Sequence, residues 1–118
     1  MLRALILATV SLAAAAALAL PVLAAPSAQT VRVNEVSYRI SLSAKPKAGV
    51  VKFVVRNGSD DSHDFWVRGG GKTWKTRVLG DAATASVTAR LKKGVKYTYW
   101  CGVSDHASEG MRGSFVAR

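Results

Sequence analysis

The chain has 118 residues, a formal net charge of +10 and a single cysteine. This length allows one domain, and a single cysteine excludes an intrachain disulfide framework. The 17 basic side chains are spread along the sequence without a dense run. That distribution favours a solvated basic surface, suited to acidic partners, over a nucleic-acid-binding segment.

Residues 1–24 have the composition of a secretory signal peptide. Arg3 precedes an alanine-rich apolar run that extends to Leu20, and small residues suited to cleavage follow as far as Ala24. A membrane anchor, the alternative, needs about 20 strongly apolar residues, more than this run supplies. We therefore predict a leader over residues 1–24 and a mature domain over residues 25–118, periplasmic or secreted and without a stable membrane span. Removing Arg3 leaves the mature domain with a net charge of +9.

The first half of the mature domain reads as β-strands separated by polar turns. A short strand is predicted over residues 30–33, and alternating apolar and polar residues predict a half-buried strand over residues 36–42. The nearly continuous β-branched run at residues 50–55 predicts a buried strand. After a polar loop, alternate residues from His63 to Val67 are expected to share one buried face.

The second half continues the same pattern. Strands are predicted over residues 73–79, 84–91, 95–101 and 114–117, and the third of these aims the only thiol inward at its end. Tyr97 fits either a tyrosine corner or ordinary core packing. About seven or eight short strands, with no long amphipathic helix, predict an all-β fold, a Greek-key β-sandwich.

Four side chains of the mature domain form a candidate metal-ligand set. Cys101, His106 and Met111 follow one another at intervals of five residues, and His63 comes from a separate apolar segment. Thiolate and thioether suit Cu(I), imidazole suits both copper states, and a His₂Cys plane with a weak Met bond is the arrangement of blue-copper electron-transfer sites. The sequence therefore predicts one copper ion bound by these four residues.

Two other interpretations of these residues stay open at this point. Zinc also binds Cys-His₂ sites, and the methionine is what favours copper. A lone cysteine is often simply buried and inert, and His63 by itself would be an ordinary loop histidine. However, an unpaired thiol in an exported protein calls for an explanation, and a metal bond supplies one.

These residues carry a resemblance to the cupredoxin family, in its plastocyanin-like and rusticyanin-like branch. The matching pieces lie at residues 49–57, 63–67, 94–101 and 106–113 and together span roughly residues 30–118. The spacing of four residues between successive ligands on the C-terminal loop is more similar to rusticyanin than to plastocyanin. Where the family usually has Pro-Gly before the second histidine, this chain has Ser-Asp.

The resemblance implies a one-electron carrier and not an enzyme. It implies that His106 is the electron port, and that Asp64 helps to tie the ligand-bearing loops together. Expected partners are redox proteins such as a cytochrome or oxidase, with an acidic docking surface that suits the basic chain. A periplasmic copper-trafficking or copper-tolerance protein with the same ligands is the alternative, and a structural domain without copper is a third.

Overall fold

The computed structural model of the chain describes residues 9–21 and 28–118. Residues 9–21 are exposed and form no regular secondary structure. The predicted leader boundary at Ala24 lies outside the described residues, so the leader stays a prediction. Across the two described ranges, no helix is long and apolar enough to cross a membrane.

The domain consists of eight β-strands, as the alternating sequence pattern predicts. Their bounds are β1 Gln29–Val36, β2 Arg39–Leu42, β3 Gly49–Asn57, β4 Trp66–Gly69, β5 Lys72–Lys75, β6 Thr84–Leu91, β7 Lys96–Trp100 and β8 Arg112–Val116.

The strands form two four-stranded sheets that pack as a sandwich. The first has the order β2-β1-β3-β6 and the second the order β5-β4-β7-β8. All neighbours are antiparallel except β1 and β3, which run parallel. Inward-facing residues of both sheets form one core, which includes Val33, Phe53, Val67 and Tyr97.

The segment predicted as one strand over residues 36–42 is instead divided by a hairpin turn. β1 ends at Val36 and β2 begins at Arg39, and these two residues are paired. Since paired residues share a face, Ile40 lies on the inner face with Glu35, while Val36 lies on the outer face. Strict alternation of apolar residues continues across this two-residue turn, so the pattern alone did not reveal the reversal.

A second difference concerns the predicted strand over residues 73–79, which ends at Lys75 as β5. Beyond it, Leu79 forms an isolated bridge to His63. This bridge attaches the later segment to the loop that carries a candidate ligand.

Tyr97 forms the tyrosine corner that the sequence left open. Its hydroxyl accepts a hydrogen bond from the backbone N–H of Lys92 at 2.8 Å, and the residue is buried. Its ring packs directly on Gly69, where an added Cβ would overlap the ring atoms. Gly69 therefore allows β4 and β7 to pack closely around this aromatic side chain.

Candidate metal centre

His63 lies in the loop between β3 and β4 and is held by backbone hydrogen bonds. Its N–H donates to the carbonyl of Leu79 at 3.1 Å, and its carbonyl accepts from the Leu79 N–H at 2.7 Å. The Asn57 side-chain amide donates to the carbonyls of Asp61 and Leu79, at 2.7 and 2.9 Å. These bonds fix the loop, and with it the backbone from which the imidazole projects.

The other three candidate ligands lie on the loop between β7 and β8. Cys101 directly follows β7, and its N–H donates to the carbonyl of Met111 at 3.0 Å. The Met111 N–H donates in turn to the carbonyl of His106 at 3.0 Å. The loop is thus closed on itself, which places the backbones of all three residues side by side.

The predicted ligand atoms of His63, Cys101 and His106 converge on one point. The two histidine Nδ1 atoms are 3.1 Å apart, and each lies 3.8 Å from the Cys101 Sγ. The point in their plane that is equidistant from all three is about 2.1 Å from each, within the range of metal–nitrogen and metal–sulfur bonds. The triangle therefore has the size that one transition-metal ion requires.

Met111 is fully buried, and its backbone is bonded to both neighbouring candidate ligands. The role of Met111 as a metal ligand stays a prediction.

The environment of the site favours neutral imidazole at His63. Burial lowers the pKa of His63, the nearby His106 lowers it further, and Asp61 and Asp64 partly oppose this. Neutral imidazole is the form that binds metal ions. The lowered pKa therefore keeps His63 available as a ligand at neutral pH.

The thiol of Cys101 is buried and, without a metal, resists ionisation. Burial raises the pKa of Cys101, while the backbone N–H groups of Asp64 and Val103 act in the opposite direction. A bound cation would reverse this balance, because a coordinating thiol is deprotonated outright. The site thus combines a buried thiol with backbone N–H groups that can stabilise its thiolate form.

Two serines set the orientation of the His63 ring. Its Nε2 lies 2.8 Å from Ser59 Oγ and 3.3 Å from Ser37 Oγ. Ser59 Oγ already donates to Asn57 Oδ1 and Ser37 Oγ to Asp61 Oδ2, so both can accept from Nε2–H. This arrangement leaves the Nδ1 lone pair facing the centre of the triangle. Hydrogen-bond partners of metal-binding histidines orient the ring in the same way.

The two serines were not identified from the sequence. Their signal was weak, because Ser59 is one polar residue among several in its loop, and Ser37 lies in the segment interpreted as a continuous strand.

Asp64 ties the two ligand-bearing segments together, as the family resemblance implied. Its Oδ1 accepts a hydrogen bond from the Gly102 N–H at 2.6 Å, next to Cys101. Its Oδ2 accepts from Trp66 Nε1 at 2.9 Å. Asp64 is 7% exposed, so it is a buried bridging residue and not a solvated strand position.

His106 is the most accessible of the three converging residues. It is half-buried, whereas His63 and Cys101 are buried. The ring of Tyr38, which is 44% exposed, lies beside it with a centroid distance of 5.2 Å. An aromatic side chain therefore flanks the edge of the site that approaches the surface.

Glu35 is a buried carboxyl group that was also missed from the sequence. It is fully buried, and neither carboxylate oxygen has a hydrogen-bond partner within the described residues. Burial, followed by repulsion from Asp64, raises the pKa of Glu35 to about 8. The available signal was its period-two spacing with Val31 and Val33, which was obscured because the predicted first strand ended at residue 33.

Comparison with known proteins identifies the fold. No protein-family model matches the chain, and no curated protein matches it. Among solved structures, auracyanin B matches with a TM-score of 0.67 and 19% identity over 81% of this chain and 93% of that chain. Auracyanin A, described as a "blue" copper protein from Chloroflexus aurantiacus, matches with a TM-score of 0.66 and 16% identity over 78% of this chain and all of that chain (100%).

Larger copper proteins contain a similar domain. A multicopper oxidase from Pseudomonas thermotolerans matches with a TM-score of 0.54 and 19% identity, over 82% of this chain but only 32% of the oxidase. Identities this low establish the fold alone. The two-sheet strand order and these structural matches show that the chain has the cupredoxin fold.

Proposed function

We propose that this chain is a small type 1 (blue) copper protein that carries single electrons between redox proteins. The observation that carries the proposal is the triangle of two imidazole nitrogens and one thiol sulfur around a point about 2.1 Å from each. The blue-copper description of the structurally similar auracyanin A supports the choice of copper.

Each ligand has a distinct role in this proposal. His63, His106 and the Cys101 thiolate would hold the copper ion, and the Met111 thioether would be the weaker donor that tunes its potential. Copper bound there would supply a reversible one-electron couple. Backbone hydrogen bonds and Asp64 hold both segments in place, so the four residues would move little when the ion changes oxidation state.

The route for the electron follows from exposure. His106 is the half-buried ligand, so its ring edge is the proposed port, with Tyr38 beside it. The proposed partners are redox proteins such as a cytochrome or oxidase with an acidic docking surface, since the mature domain carries a charge of +9. The predicted leader supports a periplasmic or secreted location.

A carrier is preferred over an oxidase because of the proposed ligand set. Four protein ligands would leave no coordination position for a substrate, in contrast to catalytic metal sites that keep one open. The multicopper oxidases that match are much longer, since the matched region covers 43% and 32% of their chains. The proposal therefore assigns electron transfer, and not substrate oxidation, to this domain.

Titration of the purified protein with Cu(II) tests the proposal. We expect an intense visible thiolate-to-copper band that saturates at one ion per chain and vanishes on reduction. Cys101→Ser should abolish it, because a hydroxyl is a poor ligand for this metal, whereas Ser104→Ala on the same loop should retain it. A surviving intense band in Cys101→Ser contradicts the assignment. A blue protein that exchanges electrons slowly with acidic redox proteins would favour copper trafficking instead.

A further inference from the structure

Glu35 lies at the inner face of β1, outside the proposed set of metal ligands. Val31 and Val33 precede it on that face and belong to the hydrophobic core. Glu35 is as buried as they are, yet its two oxygens have no hydrogen-bond partner among the described residues. Burying a carboxyl without a partner is costly, and a core position with two valine neighbours would ordinarily be filled by an apolar side chain.

Glu35 lies at the end of the sandwich that holds the metal centre. Its carbonyl accepts from the Gly58 N–H at 2.7 Å, at the start of the loop that carries His63. Two residues further on, Ser37 contacts the His63 ring. The carboxyl is also close enough to interact electrostatically with Asp64 and with the Cys101 thiol.

These neighbours do not supply the positive charge that a buried carboxylate needs. The Asp64 carboxyl and the Cys101 thiol can carry only negative charge, and a metal-binding imidazole is neutral. Asp64 differs from Glu35 because two N–H groups already stabilise it. The missing positive charge near Glu35 is the one that a metal ion would bring.

We propose that Glu35 is the built-in counter-charge of the metal centre and makes the site favour a divalent over a monovalent ion. This inference rests on the proposed copper function. One thiolate neutralises a monovalent ion, whereas a divalent ion brings one further positive charge, which Glu35 helps to balance together with Asp64. By the same charge argument, Glu35 stabilises Cu(II) more than Cu(I).

Metal competition separates this role from simple packing. Zn(II) and Cu(I) affinities should be measured with chromophoric chelators for the wild-type protein, for the near-isosteric Glu35→Gln and for Asp81→Asn, which removes an exposed carboxylate. We expect Glu35→Gln to weaken Zn(II) binding about tenfold or more, with Cu(I) binding changed less than threefold. Asp81→Asn should match the wild type. An equal loss for both ions, or no loss for either, overturns the proposal.

The copper potential gives an independent readout. A tenfold change in the preference for Cu(II) over Cu(I) corresponds to about 59 mV, and Glu35→Gln should raise the potential by about that amount. An unchanged or lowered potential, in a variant that keeps its visible band, overturns the proposal.

A second variant guards against misfolding of the first. Glu35→Leu removes the buried polar group, so its metal-free form should melt at or above the wild-type temperature, while the rise caused by Zn(II) should shrink by several degrees. A metal-free form that melts lower, with the full Zn(II) rise retained, shows a packing role and overturns the proposal. Zn(II) undergoes no redox change in proteins. This result is therefore independent of whether Cu(II) produces a blue site or the protein transfers electrons.

Discussion

Asp64 affects both the position of the candidate ligands and the charge around them. It bridges Gly102, beside Cys101, to Trp66 on β4, and it directly follows His63. Removing it would therefore disturb both ligand-bearing segments. Replacing Asp64 by asparagine is a milder perturbation, because it removes the charge and keeps the bond to Gly102.

Asp64→Asn should raise the copper reduction potential, because a negative charge favours Cu(II). The asparagine oxygen can still accept from Gly102, although the bond to Trp66 is lost. At ~7 Å and an effective dielectric of ~20, one charge is worth roughly 2.4 kcal/mol. For one electron this energy corresponds to about 100 mV, at 59 mV per tenfold step. Solvent screening reduces it, so we expect a rise of some tens of millivolts. Voltammetry measures the potential, and an unchanged or lower value in a folded, blue Asp64→Asn variant would contradict this prediction.

Met111→Leu tests the axial position, for which the structure shows burial and backbone placement. The visible band should persist because it arises from the Cys101 thiolate. The potential should rise by roughly 50–100 mV, one to two tenfold steps, since losing a sulfur donor disfavours Cu(II) more than Cu(I). If the potential instead falls while the fold and band are intact, Met111 is not the axial donor.

At the scale of the elements, the sandwich positions the site by joining two loops at one end. β4 pairs with β7 in register, so Trp66 lies opposite Trp100, and their rings stack with a centroid distance of 5.6 Å. These residues are close in sequence to His63 and Cys101. The pairing of two strands therefore determines the distance between two candidate ligands, His63 and Cys101, that are 38 residues apart.

Tyr97→Phe should lower the free energy of unfolding by about 1–3 kcal/mol, because the Lys92 N–H loses its acceptor. Tyr99→Phe is the matched control on the same strand, since the Tyr99 hydroxyl makes no hydrogen bond within the described residues. Denaturant unfolding of both variants measures the difference. Equal destabilisation by the two changes would show that the hydrogen bond from the Lys92 N–H to Tyr97 adds no stability of its own. The visible copper band should be unchanged in both variants.

At the scale of the whole molecule, stability should depend on pH through Glu35. Its pKa is raised to about 8, so its contribution is fully present below the ordinary value of 4.5 and is lost as pH rises towards 8. The lowered pKa of His63 acts in the opposite sense below about 6.5. Between pH 7 and 8, metal-free protein should therefore become less stable with rising pH, by at most about 1.4 kcal/mol per unit.

Denaturant unfolding in the presence of a chelator measures this slope. Glu35→Gln should reduce the slope towards zero over the same interval. A slope that is identical in the variant and the wild type would assign the pH dependence to other groups.

The net charge gives a second prediction at this scale. Electron transfer to an acidic redox protein should slow as ionic strength rises, by tenfold or more between low and physiological salt, because the Debye length falls to about 8 Å. Stopped-flow kinetics measures the rate, with a basic cytochrome as the control that should not show the same decline. A flat response with the acidic partner would contradict steering by this surface.

Residue identity and local spacing were sufficient to predict the fold class and the four candidate ligands. Alternation predicts strands because side chains alternate across a pleated sheet. The predicted preference for copper rests on the softness of the thiol, thioether and imidazole groups themselves. The boundary between β1 and β2 was not predictable, since a two-residue turn preserves the alternation of Val36, Tyr38, Ile40 and Leu42.

Only the tertiary structure determined how distant segments meet. The approach of His63 to Cys101, the two serines behind the His63 ring and the bridge from Asp64 to Gly102 all join residues from separate loops. The isolation of Glu35 was equally invisible, because a missing partner is a property of every segment packed around a side chain. Such contacts depend on strand register and on how the two sheets pack, and no local pattern encodes these by itself.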